Sequence, residues 1–316
     1  MTSPPGDLTF RPIHGPEELG LYCQFPYVQN GSLAADLDAG HRCPGWLWLA
    51  LRGDHPVARA GWWARAGQPV PDLLDVFDLG DGPGDPDLVA AGAGLLRAAT
   101  AGIMPPGRPW PEYTRLEPAD WRDQPATRQA VTDRMAAVAQ AGGRFLVERL
   151  QLEWQAGTPI AKRTGRLEFG PAGEPDELIE LMTAVLDGSL DAHSRRDLAQ
   201  MTPVQAATRH YWDELARYQS PRGWWRVARR PGGEPVGFVI PAHNGYLPII
   251  AYLGVLPGYR GRGYVGEILA EGTQILAAEG ATLILANTDL GNEPMARAFH
   301  RAGWADTGHV INMIWD

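Results

Sequence analysis

The sequence predicts an α/β chain of the mixed α+β kind, built from two tandem domains of one plan. Its 316 residues suit two domains of about 150 residues each. Short similarities recur in the same order in both halves, and the members of the first and last pairs lie about 160 residues apart. Strands in a run, followed by strand–helix alternation, predict in each half a mixed, mostly antiparallel sheet flanked by helices.

The repeat rests on three pairs of segments. They are 8–12 with 167–171, 45–50 with 223–228, and 141–154 with 302–315. Between the halves, residues 157–165 are poor in apolar residues and rich in turn formers, which predicts a linker. We therefore expect a first domain at 1–156 and a second at 166–316.

The second half can be divided into elements from its apolar periodicity and its Gly and Pro residues. In chain order we expect a strand at 167–171, helices at 176–186 and 204–218, a hairpin at 223–240, a strand at 249–256, a helix at 264–279, a strand at 282–286, a helix at 294–302 and a strand at 308–315.

Composition excludes several classes of function. The net charge of -9 and pI of about 5.4 argue against binding to nucleic acid or to an anionic membrane. No apolar run reaches the roughly 18–20 residues that span a bilayer, and residues 1–7 lack the basic and apolar regions of a signal peptide. We expect a cytoplasmic protein. Cys23 and Cys43 form no CxxC pair, so no metal site is predicted.

The most informative segment is 253–266, where a strand leads through a turn into a helix. Gly258, Gly261, Gly263 and Gly266 allow sharp turns that bring successive N–H groups to one point. Those amides and the positive helix end favour an anion, and Arg260 and Arg262 add charge. A pyrophosphate is the expected occupant.

Two other interpretations of this segment remain. One is a basic turn before a helix, with no ligand. The other is a dinucleotide fingerprint, because Gly261, Gly263 and Gly266 satisfy G-x-G-x-x-G and Asp289 stands where a ribose-binding acid would. However, only 50 residues follow Gly266, too few for the remaining strand–helix units of that fold. No G-x-x-x-x-G-K-S/T sequence occurs, so a nucleoside-triphosphate loop is not predicted.

The segment V-x-P-x-x-R-G-R-G at 255–263 resembles motif A of the GCN5-related N-acetyltransferases (GNAT), which reads Q/R-x-x-G-x-G/A. Residues at the spacing of that family's N-x-x-A-x-x-x-Y-x-x-x-G-F segment follow: Asn292, Met295, Phe299, Gly303 and Trp304. The resemblance covers 167–316, with 8–154 as a degenerate copy. The tandem arrangement is also similar to that of mycothiol synthase and of acetyltransferases that modify amine antibiotics.

The resemblance implies acetyl-CoA as acyl donor. Its pantetheine arm would pair with the main chain of a splayed strand, its pyrophosphate would bind the loop amides, and Asn292 would bond near the cofactor arm. The cofactor-binding residues so implied are Leu253, Gly254, Val255, Arg260, Gly261, Arg262, Gly263, Tyr264, Val265, Gly266, Asn292 and Phe299.

The sequence departs from the family pattern at two positions. Val265 stands where Gly or Ala is usual, which crowds the loop, although Gly266 follows. Phe299 occupies the position of the Tyr that often protonates the departing thiolate, and a phenyl ring cannot donate a proton. His300 is adjacent, but successive helix residues point in different directions, which favours a solvated histidine.

Acetyl transfer to an amine needs a base near the amine and an acid near the sulfur. Asp289, at a strand end, is the first candidate for the base, with a turn or cap as its structural alternative. His193 and Asp191 lie in the region that lines the acceptor site in this family, with surface solvation as their alternative. For the acid we expect Tyr264 or Tyr252. Weaker candidates are His243 and Asn244.

In the first half, segment 78–85 takes the place of the phosphate loop. It has glycines, but also three carboxylates and no arginine, so we expect this domain not to bind acetyl-CoA.

The sequence thus predicts an acetyl-CoA-dependent N-acetyltransferase that acts on a primary amine of a small molecule by direct transfer. The alternative is a catalytically silent protein that binds acyl-CoA or has a regulatory role. Acceptor identity and oligomeric state stay open.

Overall fold

The computed structural model describes residues 8–80 and 84–316. The chain divides into two compact units. The first comprises the chain up to Val147 together with Val310–Asp316, and the second is Glu148–His309. Each unit contains a mixed sheet with helices, which confirms the predicted fold class.

The first unit begins with an antiparallel run of strands. Its elements are β1 (Leu8–Pro12), α1 (Leu19–Tyr22), α2 (Leu33–Asp38), β2 (Leu47–Arg52), β3 (His55–Trp63), β4 (Leu73–Leu79), α3 (Pro86–Ile103), β5 (Glu112–Pro118), α4 (Pro125–Gln140) and the start of β6 (Arg144–Gln155). The strand order is β1-β2-β3-β4-β5, followed by the end of β12 (Ala305–Ile314). β4 and β5 pair in parallel.

The second unit repeats this plan. Its elements are the rest of β6, β7 (Glu168–Pro171), α5 (Pro175–Val185), α6 (Ala192–Leu198), α7 (Pro203–Asp213), β8 (Arg226–Arg229), β9 (Pro235–His243), β10 (Pro248–Val255), α8 (Tyr264–Ala278), β11 (Leu283–Asp289), α9 (Glu293–Arg301) and the start of β12. The strand order is β6-β11-β10-β9-β8-β7, and the parallel pair is β10 with β11.

Strand β9 is buried along most of its length because helices cover both of its faces. Val236 and Val239 lie in a cluster with Ile268 of α8, while Phe238 and Ile240 lie in a second cluster built around α5 and α7. A strand covered on both faces loses the apolar–polar alternation of a half-buried strand. The sheet therefore supports the groups at the ends of β10 and β11.

The expected elements of the second half all occur, with ends shifted by a few residues, except that β8 is shorter than its hairpin segment suggested. α6 was not predicted, because seven residues are too few for clear apolar periodicity. The expected domain limits, 1–156 and 166–316, stay a prediction. In the structure the two units divide within β6 and within β12. Residues 1–7, where a signal peptide was argued against, lie outside the described residues.

Two features are absent from the described part of the chain, a membrane-spanning helix and a cluster of metal ligands. None of its helices is long and apolar enough to cross a bilayer. Over residues 8–80 and 84–316, no group of three or more His, Cys, Asp or Glu side chains could hold a metal ion.

Candidate functional site

The parallel strands β10 and β11 separate soon after they meet. Among the described residues, their pairing is limited to Ile249 with Leu285, although the strands continue to Val255 and Asp289. Each remains paired on its other side, β10 with β9 and β11 with β6. An irregularity in the β9 register between Ile250 and Tyr252 lies where the separation begins. The main chain of β10 beyond Ile249 therefore faces a gap, as expected for Leu253, Gly254 and Val255.

The loop after β10 presents main-chain N–H groups at the open end of this gap. Gly261 and Gly263 adopt positive φ values of 75° and 78°, which glycine tolerates best. Gly263 is also the N-cap of α8, and the Gly266 amide donates to its carbonyl at 3.3 Å, whereas the amides of Tyr264 and Val265 have no acceptor within the helix. A Cβ added at Gly261 or Gly266 would meet nothing within 4 Å, so the loop is not crowded at these two positions. The arrangement suits an anion.

The two arginines of the loop differ in their engagement. The guanidinium of Arg260 donates to three main-chain carbonyls, those of Asp187 at 2.6 Å, Val185 at 2.8 Å and Val255 at 3.1 Å. The guanidinium of Arg262 lies 5.6 Å from the Tyr259 ring centroid. Main-chain carbonyls thus use the guanidinium donors of Arg260, whereas among the described residues those of Arg262 are left for an anion.

Tyr264 lies in a packed arrangement on the outer side of the loop. Its ring is 6.1 Å from that of Tyr259, and the Arg166 guanidinium lies 5.0 Å above it. Arg166 also donates to the carbonyl of Arg262 at 3.2 Å and pairs with the buried Glu267 of α8. These contacts brace the loop from outside. Tyr264 therefore serves the loop in this structure, and its expected role as an acid has no supporting contact.

The downstream residues of the resemblance lie on α9. Asn292 is the N-cap of that helix, and its side-chain oxygen accepts from the Met295 amide at 3.4 Å. Phe299 is buried edge-to-face against Trp304, with ring centroids 5.0 Å apart. His300 is exposed and paired with Asp306 at 2.7 Å. None of these three side chains offers a proton in the gap. Val265, the other departure, is half-buried in the first turn of α8.

A carboxylate cluster lies at the end of β11. The Asp289 side chain is 3% exposed, and its Oδ2 accepts from the Ala192 amide at 2.7 Å. Its Oδ1 lies 3.2 Å from Nε of Arg149, and Oδ2 of Asp191 lies 4.0 Å from Nη2 of the same arginine. Asp191 is the N-cap of α6, accepting from the Ser194 amide at 2.7 Å. Two expected residues, Asp289 and Asp191, are thus brought together.

The pKa values of these two carboxyl groups are shifted in opposite directions. Burial and the nearby charge of Asp191 raise the pKa of Asp289 above its ordinary value, against the opposing effects of the Ala192 amide and Arg149. Burial also disfavours ionisation of Asp191, but Arg149 and the Ser194 amide outweigh it, and its pKa is lowered. His193 lies close enough for its charge to favour ionisation of both. Its side chain is only partly buried.

Tyr252 faces the same region from β10. Its ring is held between His210 of α7, at 4.8 Å, and Phe238 of β9, at 5.1 Å between centroids. Among the described residues its hydroxyl has no hydrogen-bond partner. Burial, with a contribution from Asp191, raises the pKa of this phenol, which keeps it protonated. His210 was not singled out from the sequence, because nothing in a helix pattern marks a histidine that contacts a strand three elements later in the chain.

The two weaker candidates belong to a turn. The amide of Gly245 donates to Nδ1 of His243 at 3.1 Å, and the side-chain oxygen of Asn244 accepts from the amides of Tyr246 and Leu247. Such local bonding is the ordinary use of Asn in turns. Both residues therefore have a structural role at the β9–β10 connection.

The corresponding gap in the first unit is filled by the chain itself. β4 and β5 pair only at Leu73 with Glu112 and Leu74 with Tyr113 among the described residues. Beyond that point, Arg115 of β5 reaches across to β4, donating to the Phe77 carbonyl at 3.0 Å and to Asp78 at 2.7 Å. Tyr27 lies under Arg115, and its hydroxyl accepts from the Leu116 amide at 3.4 Å.

This arrangement corrects the expected explanation for the first unit. Asp78 belongs to β4 and is buried between Arg59 and Arg115, so it is not a repelling charge on a loop. Burial opposes its ionisation, but the arginines outweigh this and lower its pKa. Asp85 is the N-cap of α3. Residues 81–83 of the expected acidic loop, including Asp81, lie outside the described residues.

Comparison with known proteins agrees with this geometry. Residues 191–304 match the model of the acetyltransferase (GNAT) family. That match spans Asp191, Asp289, the gap and the loop, and it confirms the family resemblance. No curated protein matches the sequence.

Solved structures agree in fold along the whole chain. A GCN5-related N-acetyltransferase from Sphaerobacter thermophilus is 13% identical over 97% of this chain and 95% of that one, with a TM-score of 0.58. A tandem GNAT protein from the clavulanic acid biosynthesis pathway is 14% identical over 98% of both chains, with a TM-score of 0.51. A glucosamine N-acetyltransferase region of a fungal GH3 β-N-acetylglucosaminidase is 14% identical, covering 98% of this chain and 38% of that one, with a TM-score of 0.59. At these identities the likeness shows a tandem GNAT fold.

Proposed function

We propose that the second unit, a GNAT-family acetyltransferase domain, transfers the acetyl group of acetyl-CoA directly to a primary amine of a small molecule. The observation that carries the proposal is the gap between β10 and β11, which opens onto the amides of 261–266. The diphosphate of the donor would bind at the loop, with Arg262 beside it. The pantetheine arm would lie along Leu253, Gly254 and Val255, and Asn292 would approach the arm. Because acetyl-CoA is made and used in the cytoplasm, we place the protein there.

The acceptor would approach from the side that carries α6. An amine entering there meets the ionised Asp191, which favours a cation. To attack the thioester, the ammonium group must lose a proton. His193 is partly exposed and imidazole exchanges protons near neutral pH, so we assign it the base role. Asp289 is buried and hydrogen-bonded to α6, so we assign it to holding His193 in place.

The same reaction needs a proton at the departing sulfur, because the bond between the acetyl carbon and sulfur breaks as the new C–N bond forms. Phe299 cannot supply it. Tyr252 has a protonated phenol at the point where β10 leaves β11, and we assign it the acid role. The amine proton thus passes to His193 and the phenol proton to the thiolate.

Direct transfer in a ternary complex is supported by the sequence of the second unit. Both cysteines of the chain, Cys23 and Cys43, lie in the first unit, so the second has no thiol to carry an acetyl group. Initial velocities measured against both substrates should therefore give intersecting rather than parallel lines. Parallel lines would contradict direct transfer.

The function itself is tested by incubating the protein with acetyl-CoA and a panel of primary amines while thiol release is followed. Amine-dependent release above background is expected. Acetyl-CoA binding without release across a broad panel would favour the alternative, a silent acyl-CoA-binding or regulatory protein; the observation behind that alternative is the buried Phe299 at the usual position of the acid.

The acid role of Tyr252 predicts a selective loss. Tyr252→Phe keeps the ring between His210 and Phe238 but removes the proton, so kcat should fall about 10²-fold. The Kd for CoA, measured by calorimetry, should stay within a factor of two or so of wild type. Tyr246→Phe, at a tyrosine that is 48% exposed in a turn, is the matched control. An unchanged kcat in Tyr252→Phe would remove the residue from the mechanism.

The filled gap of the first unit predicts one CoA bound per chain. The Phe77 carbonyl and the Leu116 amide are already bonded to Arg115 and Tyr27, so these two groups are not available to a pantetheine arm. Calorimetric titration with CoA should give a single site. A second site of comparable affinity would contradict this account of the first unit.

A further inference from the structure

Arg260 fastens the loop after β10 to a distant part of the second unit. All three hydrogen bonds donated by its guanidinium go to main-chain carbonyls. Two of these carbonyls belong to Val185, at the end of α5, and to Asp187, just after it. The carbonyls at a helix C-terminus lack intrahelical partners and carry the negative end of the helix dipole, so a guanidinium is well suited to them. The bonds to Val185 and Asp187 fix where α5 ends.

The chain between α5 and α6, residues 186–191, is here called the connector. It is held at both ends. Arg260 bonds its beginning, and Asp289 accepts from the amide of Ala192, the residue that follows it. Gly188 permits the first contact, because a Cβ there would lie 3.2 Å from Nη1 of Arg260 and its φ is +63°. The connector is thus attached to the loop that follows β10 and to the last residue of β11.

We infer that Arg260 is a positioning residue that couples CoA binding at the loop to the placement of the connector and, through it, of Asp191 and His193. The inference rests on the proposed function and adds coupling to it. A diphosphate on the amides of Gly261 and Gly263 would restrain the backbone next to Arg260. That restraint would pass through the guanidinium to the connector. Coupling of this kind is reciprocal, so an ordered acceptor side would also tighten CoA binding.

Two arginine variants separate coupling from direct binding of the diphosphate. Arg262→Gln should weaken CoA binding about 10-fold, because it removes the guanidinium charge proposed to lie beside the diphosphate. At saturating CoA the connector should have the same conformation as in wild type. Arg260→Gln should change the Kd for CoA by less, while lowering kcat/KM for the acceptor about 10- to 100-fold. Gly188→Ala keeps the arginine but crowds its contact, and should resemble Arg260→Gln in a weaker form.

Hydrogen–deuterium exchange gives a readout that needs no acceptor. With wild-type protein, CoA should slow amide exchange in both the loop, 260–266, and the connector. With Arg260→Gln, or with Gly188→Ala if the first variant does not fold, CoA should protect the loop alone. Connector protection that survives in these variants would overturn the inference. So would a loss of CoA affinity in Arg260→Gln as large as in Arg262→Gln, because it would mean that Arg260 contacts the diphosphate. A failure of the proposed function would instead appear as wild-type protein that releases no thiol.

Discussion

His193→Ala should lower kcat for acetyl transfer by between 10² and 10⁴, the range for loss of a general base. The expectation follows from the cluster at the end of β11, where His193 is partly exposed and its charge acts on two carboxylates. The Kd for CoA should not change, because the donor binds at the loop. Steady-state kinetics with the best amine of the panel, together with calorimetry, measure both quantities.

A matched histidine elsewhere in the chain controls for the loss of an imidazole. His300 is also paired with an aspartate, but it is exposed on α9 with Asp306, so His300→Gln should leave kcat unchanged. Asp289→Asn should lower kcat less than His193→Ala, because its role is to hold α6. A kcat for His193→Ala within a few-fold of wild type, with a large loss in Asp289→Asn, would make Asp289 the base.

The second large effect is on stability. Arg115→Met should lower the free energy of unfolding by about 3–5 kcal/mol, because it leaves the buried Asp78 with one of its two arginine partners and the Phe77 carbonyl without its donor. Denaturant unfolding at neutral pH measures the change. Arg144→Met is the control, since Arg144 and Asp316 are exposed and such pairs are screened by water. Equal midpoints for Arg115→Met and wild type would contradict the role given to the filled gap.

The pH dependence of this effect has a definite sign. The folded-state pKa of Asp78 is lowered, so its ionised form stabilises the fold above its unfolded-state pKa. That contribution disappears as the pH falls through the folded-state value. The difference between wild type and Arg115→Met should therefore be largest near neutral pH and shrink in acid. Asp289 behaves oppositely: its raised pKa means that ionisation opposes folding, so its contribution becomes less favourable as the pH rises through the acidic range.

The loop could be predicted because glycine spacing and apolar periodicity are local features of the sequence, whereas the gap was implied by the family resemblance. Gly261 and Gly263 are needed wherever the backbone must take positive φ, and the spacing to α8 follows from the glycine N-cap. The strand before the loop is an apolar run of ordinary length. The sequence also shows that Phe299 has no acidic proton to donate. In the structure its ring is buried against Trp304.

The partners of charged side chains could not be predicted, because they depend on residues far apart in the chain. Arg260 was predicted to bind the diphosphate, which stays a prediction, and two of the carbonyls to which its guanidinium donates lie 73 and 75 residues earlier. Asp78 looked like a loop carboxylate, but arginines from two other strands bury it. Tyr252 was one of two candidates for the acid, but its neighbours His210, Phe238 and Asp191 could not be predicted from the sequence.

The central claim is that CoA binds in the second unit, with its diphosphate on the amides of 261–266 and its pantetheine arm along β10. Structure determination with CoA bound tests it most directly. The account predicts diphosphate oxygens within hydrogen-bond distance of those amides and main-chain hydrogen bonds to the arm at Leu253–Val255. CoA bound in the first unit, or in the second unit away from this loop, would contradict it.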